Sequence, residues 1–445
     1  MIAMHTPPAT RIDCEKRKKL KRKRQKKFAA SLLLFLVTVL SMSCGLTRML
    51  VDAEASALIA AVLDAQASAD GSDGSNQGTS HVPAGKLGPW VTSDVSRGLM
   101  QVSSLSNDAD SVDAVNRAMI TDPDGVGVVH IVMIVTFPSE GGDVSVSSSA
   151  KFTRIFEECI ESLLSTAKRM PVHFILLTDK GSEFFFRKIV VNIAVAKSRV
   201  PVYVDAVALV AITSNMTSSL ERLRSHLPSA PRTKYAGPLF HVEPLLPFAA
   251  LPGRPNRVLV LDANLRFRTD VSLLRDTFDL FGKQRAIAMG AELSPLYRES
   301  FRAHRDKFPA SKLGLPRPGF QGVNSGVALM DLARLRSSDY YRDLAMPSPA
   351  GSHLHGKAER NDTLTYLVKK YSFGPSGVGD QDFFTLLAAE RPDMFYTLDC
   401  SWNVQLDLTL KNEEDTEVFD KYHYCCPQDD VKVFHGNSGY PIPED

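Results

Sequence analysis

The signature motifs of several large enzyme classes are missing from this 445-residue sequence. It has no CxxC pair, no HExxH, no GxSxG and no phosphate-binding Walker loop, so nothing supports a zinc protease, a serine hydrolase or a P-loop enzyme. Cysteine is scarce, at 6 residues, and tryptophan is scarcer, at 2. So few cysteines exclude a disulfide scaffold, and a hydrophobic content of 44% excludes a mainly disordered chain.

Charge is distributed unevenly along the chain. Residues 1–27 contain eleven Lys or Arg and two acidic residues, a net charge of +9, so the remainder carries −7. A basic tail on a mildly acidic body argues against a nucleic-acid-binding protein. Nucleic acid is therefore not expected among the partners.

One long apolar run follows the basic tail. Residues 28–46 are nineteen consecutive residues without a charge, which is enough for a helix to cross a hydrocarbon core of roughly 30 Å. The Lys/Arg cluster directly before the run favours a cytoplasmic N-terminus and a luminal body. The sequence predicts a single-pass type II signal anchor, with a signal peptide cleaved near 41–43 as the alternative.

Composition separates a stem from a globular body. Residues 64–82 are small and polar, without a core-forming pattern, and the sequence predicts a largely flexible luminal stem at 47–124. The globular body is expected at 125–445, with a surface loop at 346–360.

Two features depend on the predicted luminal location of the body. Asn215 and Asn361 begin glycosylation sequons. Cys400 is a candidate for a disulfide with Cys425 or Cys426, because the lumen is an oxidising compartment.

Apolar runs alternate with helical patterns through the body. Dense β-branched runs predict buried strands, and apolar residues three or four apart predict helices. The predicted strands are 128–137, 172–178, 200–211 and 258–261, and the predicted helices are 152–168 and 184–196. This alternation favours a mostly parallel sheet covered on both faces, with a ligand crevice at the carboxyl ends of its strands.

Polar residues at two strand ends suggest a metal site. Asp262 follows the strand at 258–261, and Asn264 comes two residues later, so both side chains can converge where the chain leaves the sheet. His435 ends another short apolar run. Carboxylate, amide oxygen and imidazole are all ligands of divalent cations. The alternatives are a turn that Asp262 caps and a histidine bonded to backbone.

Two further motifs have both a structural and a functional interpretation. The NSG motif at 324–326 is either a turn into a strand or a place where a ligand approaches the backbone. Asp380 is a candidate N-cap for the helical stretch after it. Gln381 and Asp382, beside it, are hydrogen-bonding groups suited to a sugar.

Together these motifs resemble glycosyltransferase family 8. The shared motifs, in the family's order of DxD, N-x-G, DQD and a late His, are LDAN at 261–264, NSGV at 324–327, GDQDF at 379–383 and HGN at 435–437. Within the family, LDCSWN at 398–403 and the final PIPED at 441–445 resemble most closely the xyloside alpha-1,3-xylosyltransferases that act on Notch EGF repeats. The resemblance covers roughly 128–445.

The resemblance implies a fold and a reaction. The fold would be GT-A, a Rossmann-like mixed sheet flanked by helices, behind the single transmembrane helix. The reaction would be a retaining transfer of xylose from UDP-alpha-D-xylose, with Mn2+ as cofactor. The acceptor would be xylosyl-alpha-1,3-glucose linked to Ser of an EGF-like domain, and the location would be the endoplasmic-reticulum membrane.

The resemblance also implies roles for individual residues. The metal would be bound by Asp262, Asn264 and His435. The nucleotide sugar would be contacted by Val135, Thr136, Ala263, Ser325, Gln381 and Asn437. Gln381 would position the transferred sugar, and Asp382 would lie beside it. The family's DxD ends in Asp, so Asn264 lacks one negative charge and predicts weaker Mn2+ binding.

Three other activities compete with this interpretation. The first is the addition of the first xylose to O-glucose, and the second is the use of UDP-glucose as donor. The third is a catalytically silent luminal lectin or EGF-binding protein, and Asn264 favours this third alternative. Retention is expected through same-face attack, with the leaving phosphate oxygen as base, because no clear carboxylate nucleophile is present. A covalent glycosyl-enzyme at Asp382 would contradict that mechanism.

Overall fold

A computed structural model describes most of the body of the chain. The described residues are 127–137, 146–229, 238–346, 362–407, 416–425 and 427–443. The predicted tail at 1–27, anchor at 28–46 and stem at 47–124 lie outside them, as does nearly all of the predicted loop at 346–360. Within the described residues, no helix is long and apolar enough to cross a membrane.

Ten strands are found among the described residues. They are β1 Val129–Val135, β2 Val172–Thr178, β3 Val202–Ala208, β4 Arg257–Leu261, β5 Leu265–Phe267, β6 Ile287–Ala291, β7 Val323–Asp331, β8 Phe395–Thr397, β9 Val404–Gln405 and β10 Val433–His435. The four strands predicted from apolar runs are confirmed as β1 to β4, with small shifts at their ends.

A seven-stranded sheet forms the centre of the body, in the order β3-β2-β1-β4-β7-β6-β8. The first four strands are parallel, as the alternating pattern predicted. β7 runs antiparallel to both of its neighbours, β4 and β6, and β8 is parallel to β6. The sheet is therefore mixed.

A small second sheet joins two distant parts of the chain, in the order β5-β10-β9. β10 pairs antiparallel with β5, where His435 lies opposite Leu265, and parallel with β9, where His435 lies opposite Gln405. Because Leu265 follows Asn264 directly, this pairing brings the two parts of the predicted metal site together.

Helices pack on both faces of the large sheet. The α-helices are α1 Val146–Thr166, α2 Glu183–Lys197, α3 Leu209–Thr213, α4 Thr217–His226, α5 Val271–Arg275, α6 Leu296–Ser300, α7 Arg302–Lys307, α8 Leu332–Ser337, α9 Asp339–Ala345, α10 Thr363–Lys370, α11 Asp380–Glu390 and α12 Thr416–Tyr422. The two predicted helices are confirmed as α1 and α2. Asn215 is exposed beside α4, whereas Asn361 lies outside the described residues.

Alternate residues of the strands feed two hydrophobic clusters. In β1, Val132 belongs to one cluster, while Ile131 and Met133 belong to the other. In α1, Phe156 and Leu163 are fully buried against the second cluster, as their helical spacing predicts. Each such side chain stabilises the fold by about 1.5–3 kcal/mol. The prediction of a sheet covered on both faces is confirmed.

Two local predictions are wrong. Asp380 is not an N-cap, because α11 begins at Asp380 and the cap position belongs to Gly379, whose φ is 79°. A Cβ at Gly379 would lie 2.3 Å from the carbonyl oxygen of Phe240, so a glycine is required there. Cys400 carries a free thiol, so the disulfide suggested for it is not formed in the structure.

Candidate active site

The carboxyl end of β4 holds the centre of the candidate site. Asp262 follows the strand, and its backbone N–H donates to the carbonyl oxygen of Gly326 in β7 at 3.0 Å. The carbonyl oxygen of Asn264 accepts from the N–H of Gly436 at 2.9 Å. These backbone bonds fix the LDAN turn against the NSG motif on one side and the HGN motif on the other.

His435 and Asp262 face each other at this edge. Nε2 of His435 lies 3.2 Å from Oδ2 of Asp262. The histidine side chain is 3% exposed and the aspartate side chain 56%, so a solvent-facing carboxylate meets a buried ring nitrogen. Nε2 makes no hydrogen bond of good geometry, and leaving such a group unsatisfied costs about 1–3 kcal/mol. A cation between the two groups would remove that cost.

Gly326 makes room for the imidazole of His435. A Cβ added at Gly326 would lie 2.2 Å from Cε1 of His435, which is inside any tolerable contact. The glycine of the NSG motif therefore permits close packing of the ring on the backbone of β7.

Asn264 is the third residue of the candidate metal site. Its Nδ2 donates to the carbonyl oxygen of Gly436 at 2.9 Å, which leaves the amide oxygen as the atom for a cation. Among the described residues, no group of three His, Cys, Asp or Glu side chains is placed to hold a metal. A site here depends on an amide as its third protein ligand, which matches the departure seen in the sequence.

Ser325 and Gln381, predicted to contact the donor, lie together. Oε1 of Gln381 accepts from the backbone N–H of Ser325 at 3.3 Å. Oγ of Ser325 donates to Oδ1 of Asp380 at 3.5 Å. The DQD motif at the start of α11 is thereby tied to the NSG motif of β7.

Asp382 is placed differently from Gln381. It is fully buried, and it accepts hydrogen bonds from the backbone N–H groups of Ser376 at 2.9 Å and Gly377 at 3.3 Å. Burial raises the pKa of Asp382 to about 6, against the lowering effect of these bonds. The structure thus brings Asp382 to the loop before α11, where it stabilises that loop.

The remaining predicted nucleotide-site residues lie on strand ends and loops around this centre. Val135 ends β1 and is buried, Thr136 follows it half-buried, and Ala263 lies half-buried between Asp262 and Asn264. Oδ1 of Asn437 accepts from the N–H groups of Leu406 at 3.0 Å and Asp407 at 2.9 Å. The amide nitrogen of Asn437 is the group left for a ligand.

The sequence reasoning missed two polar residues that support the site. Glu292 comes directly after β6 and is 3% exposed, and Oε2 accepts from Gln381 Nε2 at 3.1 Å. Asn403 follows the motif Trp in LDCSWN, and its Oδ1 lies 3.0 Å from Nδ1 of His435. Both follow short strands or helices that the sequence pattern does not reveal, so no local signal in the sequence points to either residue.

Glu243 is another buried acid near the DQD motif. It is buried close to Asp380, so that the pKa values of both carboxyl groups are raised well above their ordinary range. For each group burial is the largest cause, and a neighbouring negative charge adds to it. Two neighbouring carboxyl groups in the interior are more stable when they share one proton than when both are negatively charged.

Comparison with known proteins places this geometry in context. No protein-family model matches the chain. The chain is 32% identical over 235 residues to xyloside xylosyltransferase 1 of Mus musculus and, equally, of Homo sapiens, covering 53% of this chain and 55% of each relative. It is 31% identical over 184 residues to glucoside xylosyltransferase 1 of Danio rerio, covering 41% of this chain and 38% of that protein. The chain thus spans about half the length of the first of these relatives.

A solved structure shares the fold. The crystal structure of mouse xyloside xylosyltransferase 1 in its apo form superposes with a TM-score of 0.60 and 26% sequence identity. The match covers 71% of this chain and all of the mouse chain. The body therefore has a GT-A-like glycosyltransferase fold, a mixed sheet flanked by helices.

Proposed function

We propose that this protein is a glycosyltransferase that transfers xylose from UDP-alpha-D-xylose with retention of configuration. The observation that carries the proposal is the facing pair of Asp262 and His435, 3.2 Å apart at the strand edge of a GT-A-like fold. The names of the relatives, xyloside and glucoside xylosyltransferases, support xylose as the transferred sugar.

The residues at the centre fit a divalent cation, and we propose Mn2+. Asp262 offers a carboxylate, His435 a buried ring nitrogen, and Asn264 the amide oxygen left over by its bond to Gly436. Such a mixed oxygen and nitrogen set is within the range of Mn2+. When bound, the cation supplies positive charge beside the diphosphate leaving group.

The chain's own polar groups would orient the donor. The side-chain amide of Gln381 is held at both ends, by Ser325 and by Glu292, so it presents a fixed edge to the sugar. A fixed orientation lowers the entropic cost of reaching the transition state. The amide nitrogen of Asn437 is available to a phosphate oxygen, since its oxygen is already bonded to 406–407.

The proposed acceptor is the 3-hydroxyl of xylose in xylosyl-alpha-1,3-glucose on an EGF-like domain of the Notch type. The acceptor oxygen forms a bond to C1 of xylose on the face from which UDP leaves. The electron pair of the broken bond goes to UDP, and a phosphate oxygen takes the acceptor's proton. With the predicted anchor at 28–46, the body would work in the lumen of the endoplasmic reticulum.

A second candidate activity is the addition of the first xylose to O-linked glucose. The observation that favours it is the 31% identity to glucoside xylosyltransferase 1 of Danio rerio. The two activities share donor and chemistry and differ in the sugar that the acceptor presents.

The test uses the full chain with UDP-xylose, Mn2+ and EGF repeats that carry either glucose or xylosyl-glucose. Mass spectrometry is expected to show the gain of one pentose on the xylosyl-glucose repeat, and no gain with a chelator. Gain on the glucose repeat alone would favour the second candidate. If the repeats gain a hexose from UDP-glucose and no pentose from UDP-xylose, the proposed donor is wrong.

Paired variants separate the site from the rest of the protein. Asp262→Asn removes the carboxylate that faces His435 and is expected to abolish the pentose gain. Asp339→Asn, in the exposed first turn of α9, is the matched control and is expected to act like wild type. If the wild-type chain binds UDP yet transfers nothing to either repeat, the protein is a silent binder and the proposal is wrong.

A further inference from the structure

We propose that Asp179 is a specificity-determining residue for the donor nucleotide, whose carboxylate accepts a hydrogen bond from N3–H of uracil. The inference rests on the proposed function, because it concerns the base of the proposed UDP-sugar donor. It is carried by the position of Asp179 at the carboxyl end of β2 and by a backbone hydrogen bond that engages one of its two carboxylate oxygens.

Asp179 lies at the edge of the sheet where the base of the nucleotide is expected. β1 lies between β4 and β2, and Val135 at its end pairs with Thr178, the residue directly before Asp179. Asp179 is therefore two strands away from the end of β4, about 10 Å across the sheet. A ribose separates the base of a nucleotide from its diphosphate. A diphosphate beside the metal site at β4, with Val135 and Thr136 in contact with the nucleotide, places the base near β2.

Backbone hydrogen bonds hold Asp179 in place. Its carbonyl oxygen accepts from the N–H of Ser182 at 3.0 Å, which closes the turn between β2 and α2. Its Oδ2 accepts from the backbone N–H of Phe137 at 2.8 Å, which ties the end of β1 to the end of β2. Because a backbone N–H can only donate, an acceptor atom is required at the position of Oδ2.

The other carboxylate oxygen, Oδ1, is the atom that would face the base. Across the described parts of the chain, the one side-chain hydrogen bond of Asp179 is the bond from Phe137 to Oδ2. Burial raises the pKa of Asp179, and the bond from Phe137 partly opposes this effect. A second N–H donor, placed on Oδ1, would further offset the cost of burying the carboxylate.

An aromatic pair lies beside this edge. The rings of Phe137 and Phe185 have their centroids 5.3 Å apart. Phe137 is half-buried directly after Thr136, and Phe185, in the first turn of α2, is 40% exposed. Nucleic-acid bases pack readily on aromatic side chains. Exposed ring surface next to a hydrogen-bond acceptor therefore suits a flat base that is recognised at its edge.

A single acceptor at this position is enough to select the base. N3 of uracil carries a hydrogen, whereas N3 of cytosine carries a lone pair. The carboxylate oxygen would accept from the first and repel the second. A site built to pair with an N–H group of its substrate discriminates strongly against an analogue that lacks the group. The position of Asp179 therefore favours uridine over cytidine nucleotides.

The test measures binding and not transfer. The full chain is titrated calorimetrically with UDP, CDP and N3-methyl-UDP, each in the presence of Mn2+. Wild type is expected to bind UDP about 10- to 100-fold more tightly than either analogue, which is the contribution of one hydrogen bond to a charged group. Equal affinity for UDP and N3-methyl-UDP would overturn the proposal, and this comparison needs no variant.

Asp179→Asn is expected to abolish or reverse the preference for UDP over CDP. The backbone N–H of Phe137 only donates, so the amide oxygen of the variant must face it and the amide nitrogen takes the place of Oδ1. That nitrogen would donate to N3 of cytosine and would oppose N3–H of uracil. Glu183→Gln is the matched control, at a carboxylate that accepts from the N–H of Gly181 at 2.6 Å in the same turn. It is expected to keep the preference of wild type.

The ratio of the dissociation constants for CDP and UDP separates recognition from folding. A change that only loosens the turn weakens the binding of both nucleotides and leaves their ratio as in wild type. An unchanged ratio in folded Asp179→Asn would therefore overturn the proposal. If the ratio changes as expected while wild type transfers no pentose, this inference stands and the proposed function fails. If pentose is transferred and the ratio does not change, only the inference fails.

Discussion

Asn264 combines two roles that favour different residues. As a ligand it would bind a cation more tightly if it carried a charge, because affinity rises with the number of charged ligands. As a hydrogen-bond donor it ties the LDAN turn to the carbonyl oxygen of Gly436, which a carboxylate cannot do. Asn264 therefore keeps the LDAN turn hydrogen-bonded to Gly436 when no metal is bound.

We expect Asn264→Asp to bind Mn2+ about tenfold more tightly and, without metal, to unfold more easily by about 1 kcal/mol. The reason for the second effect is that a carboxylate oxygen would face the carbonyl of Gly436. Titration of free Mn2+ and thermal melts with and without metal measure both. An affinity that does not tighten would show that Asn264 is not a ligand.

Asp382 gives the protein a dependence on pH. Its pKa is raised from 3.8 to about 6 in the folded state, chiefly by burial. The folded state therefore holds the proton more tightly than the unfolded state. This contribution to stability is complete below the ordinary pKa and is lost as pH rises through 6.

In Asp382→Asn the side chain stays neutral at every pH. Between pH 3.8 and 6, wild type is expected to lose up to about 3 kcal/mol of unfolding free energy relative to the variant. Urea denaturation across this range measures the difference. Asp339→Asn, at an exposed carboxylate, is the control and should track wild type; parallel curves for wild type and Asp382→Asn would contradict the assigned cause.

At the scale of elements, the site depends on how closely β7 and β10 approach each other. Gly326→Ala would place its Cβ 2.2 Å from the ring of His435, so the ring or one of the strands must move. We expect a loss of about 1–3 kcal/mol in stability and Mn2+ binding weakened at least about tenfold. Gly374→Ala is the control, because a Cβ there would meet its nearest atom at 4.0 Å.

Calorimetry and Mn2+ titration of the Gly326 and Gly374 variants decide this point. If Gly326→Ala binds Mn2+ as wild type does, the imidazole does not need its present position for metal binding. A loss of stability without a loss of binding would assign Gly326 to the fold alone.

At the scale of the whole molecule, ligands are expected to stabilise the body. A ligand that binds only the folded state at one hundred times its Kd adds about 2.7 kcal/mol of stability. We expect Mn2+ with UDP to raise the Tm of wild type, and a chelator to reverse the rise. Asp262→Asn should show no rise; an equal rise in that variant would place metal and nucleotide elsewhere.

Much of the large sheet was predictable because its strands are dense apolar runs. β1, β2 and β4 agree with the predicted strands to within two residues at either end. β6 was missed, since Ile287–Ala291 is only five residues long and three of its residues are Ala or Gly. Glu292 was missed with it, because a polar residue at a strand end is recognisable only once the strand is.

The metal site could be assembled from the sequence only through the order of the family motifs. Asn264 and Gly436 are 172 positions apart, and no local pattern predicts the pairing of β5 with β10. The buried hydrogen bonds of Asn324 to Glu292 and to Asn403 are also a product of packing, because each joins segments distant in sequence. The sequence indicates the chemistry of single residues, but it does not indicate which distant residues they contact.

The position of β10 between β5 and β9 has a consequence for the newly made protein. At about 5–20 residues per second of synthesis, the 172 residues between Asn264 and Gly436 take on the order of 10–30 s to make. Throughout that interval β5 lacks its partner β10, so the small sheet that joins Asn264 to the HGN motif cannot form. A nascent chain of this protein would therefore complete its candidate metal site only after nearly all of the body has been made.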